Sequence, residues 1–496
     1  MTHRLILMAG LILTALFPLS AQTNAVEIVA DPTSVSFETV SMGEKGFAIL
    51  EKHMLEKSRS YHLKVHFYNP QLALQQTVIL PLDVRTNILR TDFNNGQLYL
   101  LTQKTILRNE LSIIKFNEKY EFTEIKVPLF ESKEVWFFEV VNNKALFAGL
   151  FDARSTAFLL DMTNGTIQTL QGLYSQTSNL VQCTFDEKWE VVSIITSHYN
   201  TNKDLGFELK NYDSQGRLVR QHIFNPLPGY QLHVSSVSDF AGGKQLIAGF
   251  YTLPKSQGYS GIFHVMLDQE SKKDIVLTPF FEIEGFFSHL GEKRANKVVS
   301  KAKEKVAKKG KWSTETEATL FPIQTDGNHF FLSMTFYRSL QRNRNSSVIT
   351  LPENQSTRYL ALRFTLNISH HMLAVVNQKG ELAETLHIDG QYTQQTSFNN
   401  FVQSTFQGQT GLIARNEKEL YGGVIKPQNK SPFAQSLEAY LASRQFKVYN
   451  SKLIEWHQNK ILVTLLEGQG GQCTARVQSY TRHGGIAGVR KSDFPH

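Results

Sequence analysis

The sequence predicts an all-β protein: a β-propeller, of seven blades as the first reading and eight as the next, with one inserted basic α-helix. Three observations predict it. Short alternating runs rich in β-branched and aromatic residues recur along the 496 residues, each after a cluster of turn residues. Their starts fall near residues 47, 98, 145, 190, 246, 330, 412 and 461. A period of about 45–50 residues with three or four strands per unit is the spacing of blades, which bury both sheet faces only by packing in a ring. A pair of β-sandwiches and a stacked β-solenoid are the competing architectures.

The individual strands follow from the same pattern. QLYLLT at 97–102 follows Asn94-Asn95-Gly96, and KALFAG at 144–149 follows Asn142-Asn143. EVVSII (190–195), QLIAGF (245–250), HFFLSMTF (329–336) and KILVTL (460–465) follow Asp186-Glu187, Gly242-Gly243, Asp326-Gly327-Asn328 and Gln458-Asn459. Such residues take the positive φ angles that tight hairpins need. Partner strands run into second turns, Asp213–Arg217 and Asn377–Gly380, and continue as further strands. The two longest intervals hold insertions: a helical one at 286–310 and a polar loop at 339–357 containing Arg342 and Arg344.

At the start of the chain, His3 and Arg4 precede an apolar run from Leu5 to Leu19, and Ser20-Ala21 supplies small residues. This is the pattern of an export signal over residues 1–21, with the propeller occupying 22–496. The run is shorter than the roughly 20 apolar residues a membrane-spanning helix needs, and no later stretch is apolar enough to span. Export is therefore expected, with no transmembrane span left after signal cleavage. Export permits a disulfide between the two cysteines, Cys183 and Cys473, but their separation favours two buried thiols.

Charge is concentrated in one place. The formal net charge is +8. Residues 292–311 hold nine basic and two acidic side chains, and Arg4 supplies the one remaining positive charge, so the rest of the chain is neutral. Ala, Lys and Glu dominate that segment, and Gly291 and Gly310 bracket it, which reads as a capped helix. Phe287, Leu290, Val298, Ala302 and Val306 fit one apolar face. Lys293, Arg294, Lys297, Lys301, Lys305 and Lys308 are then the candidate contacts for an anionic partner: an envelope component, a glycan or a protein. The alternative is a solvated surface helix. Nucleic acid is the weakest partner, because no recognised nucleic-acid module occurs.

The chain has no His-Glu-x-x-His, Gly-x-Ser-x-Gly, Walker-type loop or Asp-x-Asp-x-Asp calcium loop, so no catalytic residue, metal or cofactor is assigned. His62 and His66 share a strand face, His370 and His371 point to opposite faces, and Glu282 and Glu284 share a strand face; each reads as packing or solvated surface. Tyr251 and Tyr337 follow strands and are candidate rim aromatics for stacking on a ligand. The block GFFSHLGEKRANKVVSKAKEKVAKKGKW (285–312), DGNHFFLSMTFYR (326–338) and VVNQKGEL (375–382) resemble segments of an uncharacterised group of exported β-rich bacterial proteins with a Lys-rich helix. That resemblance implies a Gram-negative envelope or secreted protein and carries no activity. The expected function is a non-enzymatic propeller that binds a partner. The alternative is a propeller-type hydrolase or lyase acting on polysaccharide or peptide.

Overall fold

The computed structural model describes residues 22–481 apart from 30–33, 55–60, 83–85, 105–109, 129–131, 152–153, 174–177, 200–204, 226–227, 255, 257, 269–273, 340–364, 396–400, 407–408, 416–418, 427–428, 437–446, 456–459 and 470–471, and beyond residue 388 it describes backbone alone. The expected segment 1–21 lies outside the described residues, as does the polar loop 339–357 from residue 340 on.

Among the described residues the strands form eight antiparallel sheets. Seven are continuous in sequence: 34–82, 86–127, 132–169, 178–224, 231–279, 317–395 and 401–436. The eighth joins Gln22–Val29 to the three strands of 447–481. We number these blades one to eight. From blade one to blade six the first strand of each blade touches the first strand of the next, Gln324–Thr325 of blade six touches Phe401–Phe406 of blade seven, and the first strand of blade eight touches those of blades seven and one. The sheets therefore close a ring, with the first strands around the axis. Gln22–Val29 is the outermost strand of blade eight, paired with Gln472–Thr481, so the two ends of the chain share the closing sheet.

Eight blades replace the first reading of seven. The physical reason is that all eight sequence starts are real second strands, which begin at 47, 97, 144, 191, 245, 329, 409 and 460. Each has its own first strand, so none can be merged into a neighbour.

Period two decides the packing. In blade two, Leu98 and Leu100 join blade one's Leu63, Val65 and Phe67, while Tyr99 and Leu101 face blade three's Phe147 and Leu160. In blade four, Ile194 packs towards blade three and Ile195 towards blade five. Both faces of these strands are spent on neighbours, which is why the second strands read as nearly continuous apolar runs. Cys183 belongs to the layer between blades three and four as a free, buried thiol, and burial pushes its pKa well up.

Two local devices repeat around the ring. The first strands of blades one to five and eight carry a bulge, at Ser34/Ser36, Ile88/Arg90, Val135/Phe137, Leu180/Gln182, Val234/Ser236 and Val448/Asn450. A bulge adds twist, which an axial strand needs to meet its neighbour. The third-to-fourth turn is held by one side chain. Asn117 Oδ1 accepts the Lys119 and Glu121 N–H groups, Asp213 Oδ1 those of Gln215 and Arg217, and Asn377 Oδ1 those of Lys379 and Glu381. Asn69 does the same for Gln71 and Ala73. Each turn then needs a left-handed residue three places after the Asx: Leu72, Tyr120, Gly216 and Gly380.

Candidate functional site

The insertion begins where blade five ends. Two 3-10 turns, Phe280–Glu282 and Ser288–Leu290, lead into helix α1, Glu292–Lys309. Gly291 precedes it, and Gly310 closes it in the left-handed conformation with its N–H on the Val306 carbonyl at 2.7 Å. Aromatics clamp the entry and the exit. Phe280 stacks on Phe286 at 4.2 Å, and both meet Phe336 of blade six edge-on. Phe281 and Phe287 stand edge-on to Trp312, just past the helix. Ala295, Val298 and Val299 lie against the apolar layer between blades five and six. The side chains sort cleanly: Ala302 is buried, whereas Lys293, Arg294, Lys297, Lys301, Lys305 and Lys308 are all exposed. Lys308 pairs with Glu304 at 2.6 Å, within the helix. Lys293, Arg294, Lys297, Lys301 and Lys305 have no acidic partner among the described residues.

The axis holds a second cluster that sequence reasoning missed. Asp92, Glu139, Thr184 and Asp239 each lie two residues before the end of the first strand or its closing bridge, in blades two to five. They are the same position in four consecutive repeats. Their side chains tie one blade to the next. Asp92 Oδ2 accepts the Val140 N–H at 2.6 Å, and Glu139 Oε2 accepts the Phe185 N–H at 2.6 Å. Thr184 Oγ1 donates to Asp239 Oδ1 at 2.8 Å. Nearby, Gln182 Oε1 accepts the Val237 N–H at 2.6 Å, and Asp186 Oδ2 the Phe240 N–H at 2.7 Å.

These carboxyls resist ionisation. Burial, then backbone hydrogen bonds that partly offset it, set Asp92 at about 6. Burial and the neighbouring Asp92 and Asp239 push Glu139 up to about 8, so it keeps its proton at neutral pH. Burial also raises Asp239, although its side chain is exposed to solvent. Asp239 is thus the member of this cluster that water reaches most. The arrangement sets a protonated carboxyl among carboxyls that ionise more readily, which is the raw material of acid–base chemistry.

The histidines are structural in their contacts. His66 does not stand alone with His62: its Nε2 meets buried Glu51 at 3.1 Å and its Nδ1 meets Thr77 at 3.0 Å, while His53 also reaches Glu51 at 2.9 Å. His370 and His371 point to opposite faces as expected. His371 Nδ1 meets Thr335 Oγ1 at 2.8 Å. His370 stacks on Phe336 at 4.6 Å and on His289 at 4.4 Å, under the turn that enters α1. Burial drives both imidazoles far towards the neutral form, His371 to about 3. Among the described residues, no group of three or more His, Cys, Asp or Glu could hold a metal ion.

The readings of Tyr251 and of the Glu282–Glu284 pair are corrected. Tyr251 is not at a rim: it is 4% exposed, edge-on to Tyr230 in the layer between blades four and five. Tyr337 is half-buried beside Thr319, and burial pushes its hydroxyl up to about 12. Both strands carry side chains inward on the faces that blades share, so a tyrosine at the end of such a strand packs. Glu282 and Glu284 are not on a strand either; Glu282 ends a 3-10 turn and both are exposed.

No helix among the described residues is long and apolar enough to cross a membrane. No family model matches the chain, and no curated protein matches it. Solved structures similar to it include the β-propeller domain of the Trilobed protease from Pyrococcus furiosus, at 8% identity and TM-score 0.39, covering 80% of this chain and 95% of that one. The polysaccharide lyase Uly1 is similar at 10% identity and TM-score 0.44, covering 93% and 100%. The WD40 domain of SCAP from fission yeast is similar at 8% identity and TM-score 0.42, covering 92% and 98%. No activity passes from any of them to this chain.

Proposed function

We propose that this chain is an exported, non-enzymatic propeller that binds an anionic partner through α1. The observation that carries the reading is the sorting of that helix: its aliphatic residues are spent on the propeller and its cations are left in water. The remainder of the chain is close to neutral, so the helix is where a diffusing anion is drawn. The test is a pull-down of the full-length chain on anionic vesicles and acidic glycans across a salt series. It compares wild type with a variant in which Lys297, Lys301, Lys305 and Lys308 are all Glu. Salt-sensitive binding that the variant loses supports the reading; absence of binding by both proteins overturns it.

The axial carboxyls favour one alternative. Glu139 as a proton donor near Asp92 would suit a hydrolase or lyase acting on polysaccharide or peptide. Turnover of a glycan or peptide panel that disappears in Glu139→Gln, with folding intact, would replace the binding reading with this one.

A further inference from the structure

Resting on the docking reading above, we infer that the anion is a linear polyanion of the acidic-polysaccharide class, one carboxylate per sugar, laid lengthwise along α1. Arg294, Lys297, Lys301, Lys305 and Lys308 are separated by three, four, four and three residues. On a helix those steps make one row. At about 1.5 Å per residue the row is about 21 Å long with a charge every 4.5–6 Å or so. A sugar polymer with one carboxylate per ring repeats its charge at a step of the same order. Only Lys308 spends its charge inside the helix, on Glu304.

The geometry disfavours the other anionic surfaces. A helix that adheres to a bilayer inserts its apolar face among the acyl chains. Here Ala295, Val298 and Val299 are already packed on blades five and six, Ala302 is buried, and Ala307 is the one aliphatic residue the helix exposes. A vesicle would meet a line of charge with nothing to insert. Single-stranded nucleic acid is held by aromatic platforms beside the basic groove. The aromatics nearest α1, Phe281, Phe287 and Trp312, are engaged with one another at the anchor. Four of the five row residues are lysines, compact and strongly hydrated point charges on flexible stems, which suit a loosely held chain of separate charges better than a bidentate clamp.

A row of fixed length makes a distinctive prediction. Affinity for oligogalacturonates of increasing length should climb until the oligomer covers about 21 Å, roughly four or five sugars, and then level off. Titrations of the full-length chain with a dimer-to-decamer series would read this at low and physiological salt. Replacing Lys297, Lys301 and Lys305 by Glu should weaken the longest oligomer by about tenfold to a hundredfold, and replacing them by Gln should weaken it less. Unchanged thermal unfolding of both variants would show that the loss is one of charge. Binding that rises with length, levels off and falls in both variants supports the inference. Equal affinity for dimer and decamer overturns it. So does binding to anionic vesicles or to a single-stranded oligonucleotide with none to oligogalacturonates, which leaves the docking surface standing with another occupant. Binding to none of the three probes overturns both the inference and the docking reading.

Discussion

Replacing Glu139 by Gln should stabilise the protein at alkaline pH and leave it unchanged in acid. Glu139 holds its proton to about pH 8, against an ordinary value of 4.5. Between those values the folded chain binds more protons than the unfolded chain, so stability falls as pH rises through that window. At about 1.4 kcal/mol per pH unit the ceiling is about 5 kcal/mol. Relaxation and water penetration around the ionised group lower it, and about 2–3 kcal/mol is the expected loss. Gln keeps an oxygen for the Phe185 N–H and cannot ionise. Urea unfolding at pH 4.5, 6.5 and 8.5 should therefore show equal stabilities at the lowest pH and an advantage of about 2–3 kcal/mol for Glu139→Gln at the highest. A variant that is equal to or weaker than wild type at pH 8.5 would refute the reasoning, because ionised Glu139 would then carry no penalty.

The buried imidazoles act in the opposite direction. His371 and His233 are held neutral, at about 3 and about 4. Their stabilising effect is complete above the unfolded value near 6.5 and is lost as pH falls below it. Each should contribute about 2 kcal/mol of destabilisation between pH 6.5 and 5, and His371→Asn should shrink the difference in unfolding free energy between pH 7 and pH 5 by up to that amount. Phe280→Ala removes a fully buried ring from the stack that clamps the insertion. It should cost about 3–5 kcal/mol, and limited trypsin digestion should then cut within α1 before it cuts the blades.

Much of the fold is legible in the sequence, because blades repeat the same local chemistry. Asn95-Gly96, Asn142-Asn143 and Gly242-Gly243 all take positive φ, as two-residue hairpin turns demand. The residues of α1 and its glycine brackets are also plain from composition. The rest is tertiary. Nothing local distinguishes Tyr251 at a rim from Tyr251 between blades, since the neighbouring blade decides. Asp92, Glu139 and Asp239 are one position of one repeat, visible only when the repeats are laid over one another at the first turn. Each then reads as an ordinary polar residue before a hairpin. Their unusual chemistry arises from the ring, which brings them together around a common axis. The Asx residues of the third turn were open to the same comparison: Asn69, Asn117, Asp213 and Asn377 each precede a left-handed residue by three.

The placement of Gln22–Val29 governs the order in which the molecule can be completed. Blades one to seven are each contiguous and can fold as they emerge during synthesis. The eighth needs its last strand, Gln472–Thr481, before the first strand of the chain has a partner. Until then Gln22–Val29 waits with an unpaired edge, and blade one keeps an open flank at Phe47, Ile49 and Tyr68, the cluster against which Val26 packs. The growing ring is thus a spring washer with a greasy gap, and the last event of biogenesis is the one that hides it. A chaperone acting on this protein would have most to shield at that seam, for as long as translation of the final blade takes.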